Sequence, residues 1–186
     1  LEIIVVFDDN NPEEYEFIKK NCINDKRIKI LKNNKNKGAP YSRNLGIKIS
    51  KGKYIAFIDC DDKWKKKKIS TQINFMKKKK IKFCFTSYNS ISENGKTLGV
   101  MRAENNVYYN DLIYSCDIGL STVMLHKSIK KFCTFPQLKT KEDYVVWLRL
   151  SKKKIKLCGL KKALSSWRKT KNSLSSSNFQ KLIDAF

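Results

Sequence analysis

The sequence predicts an α/β fold in which helices cover a mostly parallel central sheet. Within the first 80 residues, apolar runs rich in β-branched and aromatic side chains alternate with segments of helical character. Such alternation is typical of parallel strands, because the connection between two parallel strands usually contains a helix. We expect these strands near residues 2–7, 27–32 and 53–58.

Each of these strands is followed by a predicted helix. The first helix begins after Asn11, which can cap it, and Pro12 fits its first turn. The second is expected over residues 39–51, where Gly52 would end it. The third is expected over residues 64–80, with apolar side chains on one face and lysines elsewhere.

The pattern changes after about residue 80 to a mixture of strands and helices, without an internal repeat or a clear domain boundary. Glu93-Asn94-Gly95 lies between two apolar runs and predicts a hairpin. The other expected elements are a helix near 108–115, a strand near 120–125, a helix over 141–153, and short strands over 155–158 and 162–168. We therefore expect a single domain over residues 1–186.

The charge is strongly positive, with a formal net charge of +23 from 40 Lys and Arg against 17 Asp and Glu. Arginine, which proteins favour for contacts to base edges and phosphates, is scarce beside lysine. We interpret the charge as a solvated lysine surface, with attraction to anionic lipid or phosphorylated substrates as the functional alternative. A basic nucleic-acid-binding module is the competing hypothesis from another class. No recognisable motif supports it, and we expect no nucleic-acid partner.

The six cysteines include no C-x-x-C pair, and the chain has one histidine. This spacing argues against a zinc site. Scattered single cysteines predict reduced, mostly buried thiols, as in a cytoplasmic protein. No apolar run approaches the ~20 residues that a membrane-spanning helix needs.

Acidic residues follow two of the predicted strands. Asp8 and Asp9 come after the first, and Asp59, Asp61 and Asp62 come directly after the apolar run YIAFI. The carboxyl ends of parallel strands share one edge of a sheet, where α/β proteins bind their ligands. Turn chemistry explains one or two acids, but three carboxylates within four residues repel each other unless a cation or a set of donors holds them.

We therefore predict a site for a hard divalent cation at the second acidic cluster. Carboxylate oxygens at this density suit Mg²⁺ or Mn²⁺, which often bridge protein carboxylates to substrate phosphates. The same pattern alone also fits phosphatases and nucleotidyltransferases. For Asp8 and Asp9, the residues alone favour a role in the turn before the first helix.

Four sequence blocks together resemble family 2 glycosyltransferases, which have the GT-A fold. In chain order they are EIIVVFDDNNPE, GAPYSRNLGIKISKGKYIAFIDCDDKW, LKTKEDYVVWLRL and WRKTKNSLSSS. The family's opening strand, a run such as S-I-I-I-P-x-Y-N, has no counterpart before Leu1, so we expect a fragment. The resemblance implies one GT-A domain with a donor-binding half over 1–80 and an acceptor-side half over 81–186. Asp8 and Asp9 would then face the nucleotide base and ribose.

The resemblance implies an inverting, metal-dependent glycosyltransferase with Mn²⁺ or Mg²⁺ as cofactor. The donor would be a nucleotide-sugar, a UDP-sugar in preference to a GDP-sugar. The acceptor would be a saccharide or a lipid-linked acceptor in bacterial surface polysaccharide synthesis. The protein would act in the cytoplasm, with peripheral association with an anionic membrane as a further expectation. A non-catalytic remnant of the same fold is the alternative, because the opening strand helps to bind the nucleotide base.

The resemblance also implies roles for the second acidic cluster and for one arginine. Asp61 would ligate the metal, and Asp59 would contact the ribose or the metal's water shell. Asp62 would lie behind them or cap the helix over 64–80. Arg43 would balance the carboxylates or the diphosphate, and its alternative is a surface arginine.

A base must take the proton of the acceptor hydroxyl, and the resemblance implies Asp143. The residues by themselves favour another role, because Thr140-x-x-Asp143 is similar to a capping box at the start of the helix over 141–153. A helix N-terminus would also make this carboxylate a weaker base. With the resemblance we expect Asp143 to be the base, and Glu142 is the alternative.

Overall fold

The structure, a computed structural model, describes residues 1–170. Its α-helices are α1 (Pro12–Cys22), α2 (Ala39–Ile49), α3 (Lys68–Lys79), α4 (Tyr109–Tyr114) and α5 (Glu142–Lys152). Its strands are β1 (Ile3–Phe7), β2 (Ile28–Lys32), β3 (Tyr54–Ala56), β4 (Lys63–Trp64), β5 (Phe83–Ile91), β6 (Thr97–Met101), β7 (Asn106–Val107), β8 (Met124–His126) and β9 (Leu157–Arg168). Two 3-10 turns, Leu120–Thr122 and Lys127–Phe132, flank β8.

The first part of the chain forms the predicted β-α-β-α unit. Parallel pairing places Ile3 of β1 beside Ile28 of β2, and α1 connects the two strands. The side-chain oxygen of Asn11 accepts hydrogen bonds from the backbone N–H groups of Glu13 and Glu14. The predicted N-cap of α1 is therefore confirmed.

A second sheet of seven strands forms the centre of the domain. Its order is β3-β8-β5-β9-β4, with β6 paired to β5 and β7 paired to β9. Within residues 1–170, the pairs β1–β2 and β5–β9 are parallel and the other five pairs are antiparallel. The α/β class with a helix-flanked sheet is confirmed, but the pairing is mixed rather than mostly parallel. β3 and β5 do run in the same direction, yet β8 lies between them in the opposite direction.

In the described part of the chain, no strand pairing joins the two sheets. Helix α2 packs on both of them. A Cβ placed on Gly46 would lie 3.9 Å from side-chain carbons of Ile4 and Val6 in β1. The next residue, Ile47, belongs to the buried cluster that contains Ile55 of β3. The position of β1 relative to the central sheet therefore depends on α2.

Several element boundaries differ from the prediction, because strand pairing and helix caps depend on tertiary contacts. Trp64, expected to start the third helix, forms β4 with Lys63 against β9, and α3 begins at Lys68. Helix α2 ends at Ile49 with Ser50 as its C-cap, rather than at Gly52. The two short strands expected near the end of the described chain are one continuous strand, β9.

The core lies between the central sheet and α5. Trp147 is fully buried and makes T-shaped contacts with Phe83, whose ring centroid is 5.0 Å away, and with Phe135 at 6.5 Å. This aromatic cluster anchors α5, whose first turn carries Glu142 and Asp143.

The cysteines are free thiols, and Cys84, Cys133 and Cys158 are buried while Cys60 is exposed. No helix within residues 1–170 has the length and apolar character needed to cross a membrane. The division into halves at residue 80 stays a prediction. The serine-rich end of the WRKTKNSLSSS block lies outside the described residues.

Candidate active site

Arg43 lies at the centre of the candidate site. It comes from α2, and its guanidinium donates to Asp59 Oδ1 at 2.9 Å and to Glu142 Oε1. The Arg43 side chain is 17% exposed and that of Glu142 12%, whereas that of Asp59 is 39% exposed. Arg43 therefore joins the segment after β3 to the first turn of α5, and it is not a surface arginine. The Asp59 carboxylate keeps an accessible side.

Asp143 is half-buried beside the two ion pairs of Arg43. Burial raises the pKa of its carboxyl to about 6, and repulsion from Glu142 acts in the same direction. The backbone N–H of Tyr144 donates to Asp143 Oδ1 at 2.8 Å, and this bond and the charge of Arg43 oppose the rise in pKa. A carboxyl with a pKa near 6 is ionised at neutral pH yet more basic than an ordinary aspartate.

The capping-box interpretation of Asp143 is wrong. Helix α5 begins at Glu142, and its N-cap is Lys141, whose backbone is left-handed with φ of 60°. Asp143 is thus the second residue of the helix, one position short of where a capping box would place it. Its pKa is also raised, because burial outweighs the effect of the helix N-terminus.

The acidic loop, residues 59–62, is a tight turn held to other segments. The N–H of Asp62 donates to the C=O of Asp59 at 3.0 Å, and the N–H of Asp59 donates to Ser121 Oγ at 3.0 Å. Asp62 Oδ1 accepts the backbone N–H of Arg168 at 3.0 Å, so Asp62 is not the cap of α3. Burial raises the pKa of the Asp62 carboxyl. Asp62 therefore holds the loop in place.

Asp61 is the exposed acid of this loop. Its carboxylate has no hydrogen-bond or ion-pair partner within residues 1–170. Its backbone is fixed, however, because Arg168 Nε donates to the C=O of Asp61 at 3.0 Å. Arg168 Nη1 also donates to the C=O of Ser92 at 3.3 Å and to that of Glu93. Arg168 thus ties Asp61 to the β5–β6 hairpin and leaves its carboxylate available to a ligand.

The acidic loop fits a divalent cation that a substrate helps to coordinate. In the described part of the chain, no group of three or more His, Cys, Asp or Glu side chains is arranged to hold a metal by itself. Mg²⁺ sites commonly use one or two carboxylates and complete the coordination with waters and substrate phosphates. The free carboxylate of Asp61 and the accessible side of Asp59 match that set of donors.

Asp8 and Asp9 have different local roles. Asp8 Oδ1 accepts from Asn33 Nδ2 at 2.6 Å and from the N–H of Lys37 at 2.9 Å, which ties the end of β1 to the loop before α2. Asp9 Oδ1 accepts from the N–H of Asn11 at 3.0 Å and belongs to the turn that starts α1. Among residues 1–170, no hydrogen bond or ion pair joins either acid to the acidic loop.

Sequence reasoning missed the contacts that organise this site from a distance. Ser121 lies in a 3-10 turn rather than in the strand expected over 120–125, and its hydroxyl holds the acidic loop. The side-chain amide of Asn44 bonds the C=O and the N–H of Phe135, both at 2.8 Å, and so fixes the segment that leads to α5. The partners are 62 and 91 positions apart in the chain, so no short-range pattern signals them.

The fold matches that of a solved structure. S. aureus TarS 1-349 in complex with UDP-GlcNAc superposes with a TM-score of 0.76 at 21% identity, over 95% of this chain and 52% of that one. The chain therefore spans about half the length of that structure. At this identity the likeness shows the fold, and the GT-A class expected from the sequence is confirmed.

The sequence comparisons then define the family. The model of glycosyl transferase family 2 matches residues 1–130. Two Escherichia coli proteins, WfaP and WfgD, are each named UDP-Glc:alpha-D-GlcNAc-diphosphoundecaprenol beta-1,3-glucosyltransferase. WfaP is 37% identical over 183 residues, covering 98% of this chain and 71% of WfaP, and WfgD is 35% identical over 180 residues, covering 96% and 70%. The chain belongs to glycosyl transferase family 2.

Proposed function

We propose that this chain carries the active site of an inverting glycosyltransferase that moves a sugar from a UDP-sugar to a lipid-linked saccharide. The observation that carries the proposal is the network in which Arg43 bridges Asp59 and Glu142 beside Asp143. One arginine thus connects a donor-side acid to Glu142, whose neighbour Asp143 has a pKa that suits a base. The network would thus hold the donor-side acid and the base in fixed positions relative to each other.

Asp143 is the base in this proposal. Its carboxyl, with a pKa of about 6, is ionised at neutral pH and can take the proton of the acceptor hydroxyl as the oxygen attacks the anomeric carbon. Attack opposite the leaving diphosphate inverts the configuration at that carbon. Glu142 is paired with Arg43 and nearly buried, so its role is to hold the arginine.

The donor side handles the charge of the leaving nucleoside diphosphate. Asp61 and Asp59 would hold Mn²⁺ or Mg²⁺, which supplies positive charge against the departing diphosphate when it is bound. Arg43 orients the Asp59 carboxylate, and Arg168 fixes the backbone of Asp61. The loop is thus prepared before the donor binds, which lowers the cost of reorganisation. Asp8, at the end of β1, is the proposed contact of the nucleoside.

The names of similar proteins support the choice of substrates. WfaP and WfgD are named for a UDP-Glc donor and an α-D-GlcNAc-diphosphoundecaprenol acceptor, and TarS was solved with UDP-GlcNAc. We carry over the UDP portion of the donor and a lipid-linked diphosphate saccharide as the class of acceptor. Such an acceptor lies in a membrane, and the net charge of +23 favours attachment to an anionic cytoplasmic surface.

Calorimetric titration with UDP and with GDP, each with and without Mn²⁺, tests the donor site. We expect Mn²⁺-dependent binding of UDP, weakened about tenfold or more in Asp61→Asn. Asp25→Asn is a matched control, because it removes one carboxylate from a turn whose partner is Arg27. An unchanged affinity in Asp61→Asn would remove Asp61 from the site. A folded chain that binds neither nucleotide would refute the donor site and favour a non-catalytic remnant.

A further inference from the structure

We propose that Lys68, a buried residue of α3, is a positioning residue for the acidic loop. The proposal rests on the function proposed above, since that loop would hold the donor's metal and diphosphate. Its basis is a continuous series of contacts from the Lys68 amine to the backbone N–H of Asp59.

Lys68 is buried to an extent that is rare for a lysine, with a relative exposure of 0%. Its Nζ donates to Gln72 Oε1 at 2.6 Å and lies 4.3 Å from the centroid of the Trp64 ring. Cys84 of β5 is the titratable group that faces it in the described part of the chain, and no carboxylate pairs with it there. Burying an amine costs free energy, so an apolar side chain would be expected at this position unless the amine has a role of its own.

The two side chains that the amine contacts hold neighbouring residues of one turn. Trp64 Nε1 donates to the C=O of Ser121 at 2.8 Å. Gln72 Nε2 donates to the C=O of Thr122 at 2.9 Å. Both carbonyls belong to the 3-10 turn Leu120–Thr122. Lys68 therefore contacts both of the side chains that hold this turn.

The amine helps to orient the Gln72 amide. An amide presents a donor and an acceptor at its two ends, and neighbouring groups decide which end points where. Lys68 Nζ donates to the acceptor Oε1, while the donor Nε2 bonds the C=O of Thr122 at 2.9 Å and that of Cys84 at 3.4 Å, so the three contacts favour one orientation. Without the amine, a buried Oε1 loses its donor, and the amide loses one of the contacts that hold Nε2 on Thr122.

In this position, the 3-10 turn holds the acidic loop. Ser121 Oγ accepts the N–H of Asp59 at 3.0 Å, and the Asp59 carboxylate is the one that pairs with Arg43. A displaced turn would release this N–H and change the position of the Asp59 carboxylate relative to Asp61. Lys68 touches neither acid, so its effect on the donor site would pass through the turn.

Lys68→Met tests the proposal, because methionine keeps an unbranched apolar stem and lacks the amine. Lys66→Met, at an exposed lysine of the same run, is the matched control. The first readout is hydrogen exchange of the Asp59 amide in the nucleotide-free protein, and the second is the Mn²⁺-dependent affinity for UDP. We expect exchange to become about tenfold faster and the affinity to fall about tenfold in Lys68→Met, with neither change in Lys66→Met.

A role in stability alone would shift the unfolding midpoint and leave both readouts at their wild-type values, and that result overturns the proposal. Faster exchange with an unchanged Mn²⁺-dependent affinity also overturns it. If Lys68→Met does not fold, Lys68→Leu removes the amine with a smaller apolar side chain, and the same readouts decide. If the wild-type chain binds no UDP, the proposed function fails, and exchange at Asp59 alone supports or overturns the positioning role.

Discussion

Lys68 makes the stability of this protein depend on pH in a way that can be worked out from its burial. Burial lowers the pKa of the Lys68 amine from 10.5 to about 7. In the unfolded chain the amine returns to its ordinary pKa. Between these two values the unfolded state binds more protons than the folded state, so stability rises as the pH increases through this window. Below this pH window the Lys68 amine is protonated in both the folded and the unfolded state, and this residue adds no pH dependence to the stability.

The size of the effect follows from the difference in pKa. One unit corresponds to about 1.4 kcal/mol, so the charged amine costs the folded state about 5 kcal/mol near pH 6. Raising the pH to 9 recovers about 3 kcal/mol of this. Lys68→Met removes the amine but leaves Gln72 Oε1 without a donor, at a cost of about 1–3 kcal/mol. We expect Lys68→Met to be more stable than the wild type at pH 6 and to lose that advantage by pH 9.

Urea unfolding of the wild type and Lys68→Met, in steps from pH 6 to 9, measures this directly. The difference in unfolding free energy between the two proteins isolates Lys68, because groups that titrate alike in both cancel. The corresponding difference for Lys66→Met should stay flat. A wild-type to Lys68→Met difference that changes by less than about 1 kcal/mol over this range would refute the reasoning, because the amine would then titrate alike in both states. A variant that gains stability while its acidic loop loosens would show that the buried amine serves the site at the expense of the fold.

Three further outcomes are expected. Asp143→Asn should bind UDP as the wild type does but transfer sugar about 100-fold more slowly; the wild-type kcat should fall as the pH drops through about 6, where the Asp143 carboxylate becomes protonated. A flat pH–rate profile would contradict this role. Arg43→Met should lower the unfolding free energy by about 3–5 kcal/mol in urea, because it leaves Asp59 and Glu142 without their shared cation. Sedimentation with anionic liposomes should enrich the protein at low salt and release it at high salt, and no enrichment at low salt would refute membrane attachment.

Features with a local cause were predictable from the sequence. The cap at Asn11 depends on residues two and three positions away, and it is present as expected. The hairpin predicted at Glu93-Asn94-Gly95 joins β5 to β6, with Gly95 at φ 84° as a tight turn requires. The family could also be recognised, because its motif blocks are short runs that need no tertiary contact to be read.

The candidate site was predictable in its residue types and less so in its arrangement. Asp59 and Asp61 could be placed at a strand end, where ligand sites of α/β folds occur. That Arg43 pairs with Glu142 could not be anticipated, because the two residues are 99 positions apart. The same reason hid the contact of Arg168 with the backbone of Asp61, 107 positions away.

Composition, periodicity and motifs were enough to identify the α/β class, the strand-end acids and the family of this protein. The tertiary structure decided which chemistry those residues can carry. A carboxyl at the start of α5 could be a cap or a base, and its burial beside Glu142 raises the pKa of Asp143 towards that of a base. A lysine in a charged run could be one more solvated side chain, and packing under the 3-10 turn buries Lys68 instead. Burial and pairing depend on segments that are distant in the chain, and the free energy of a charged group depends on both.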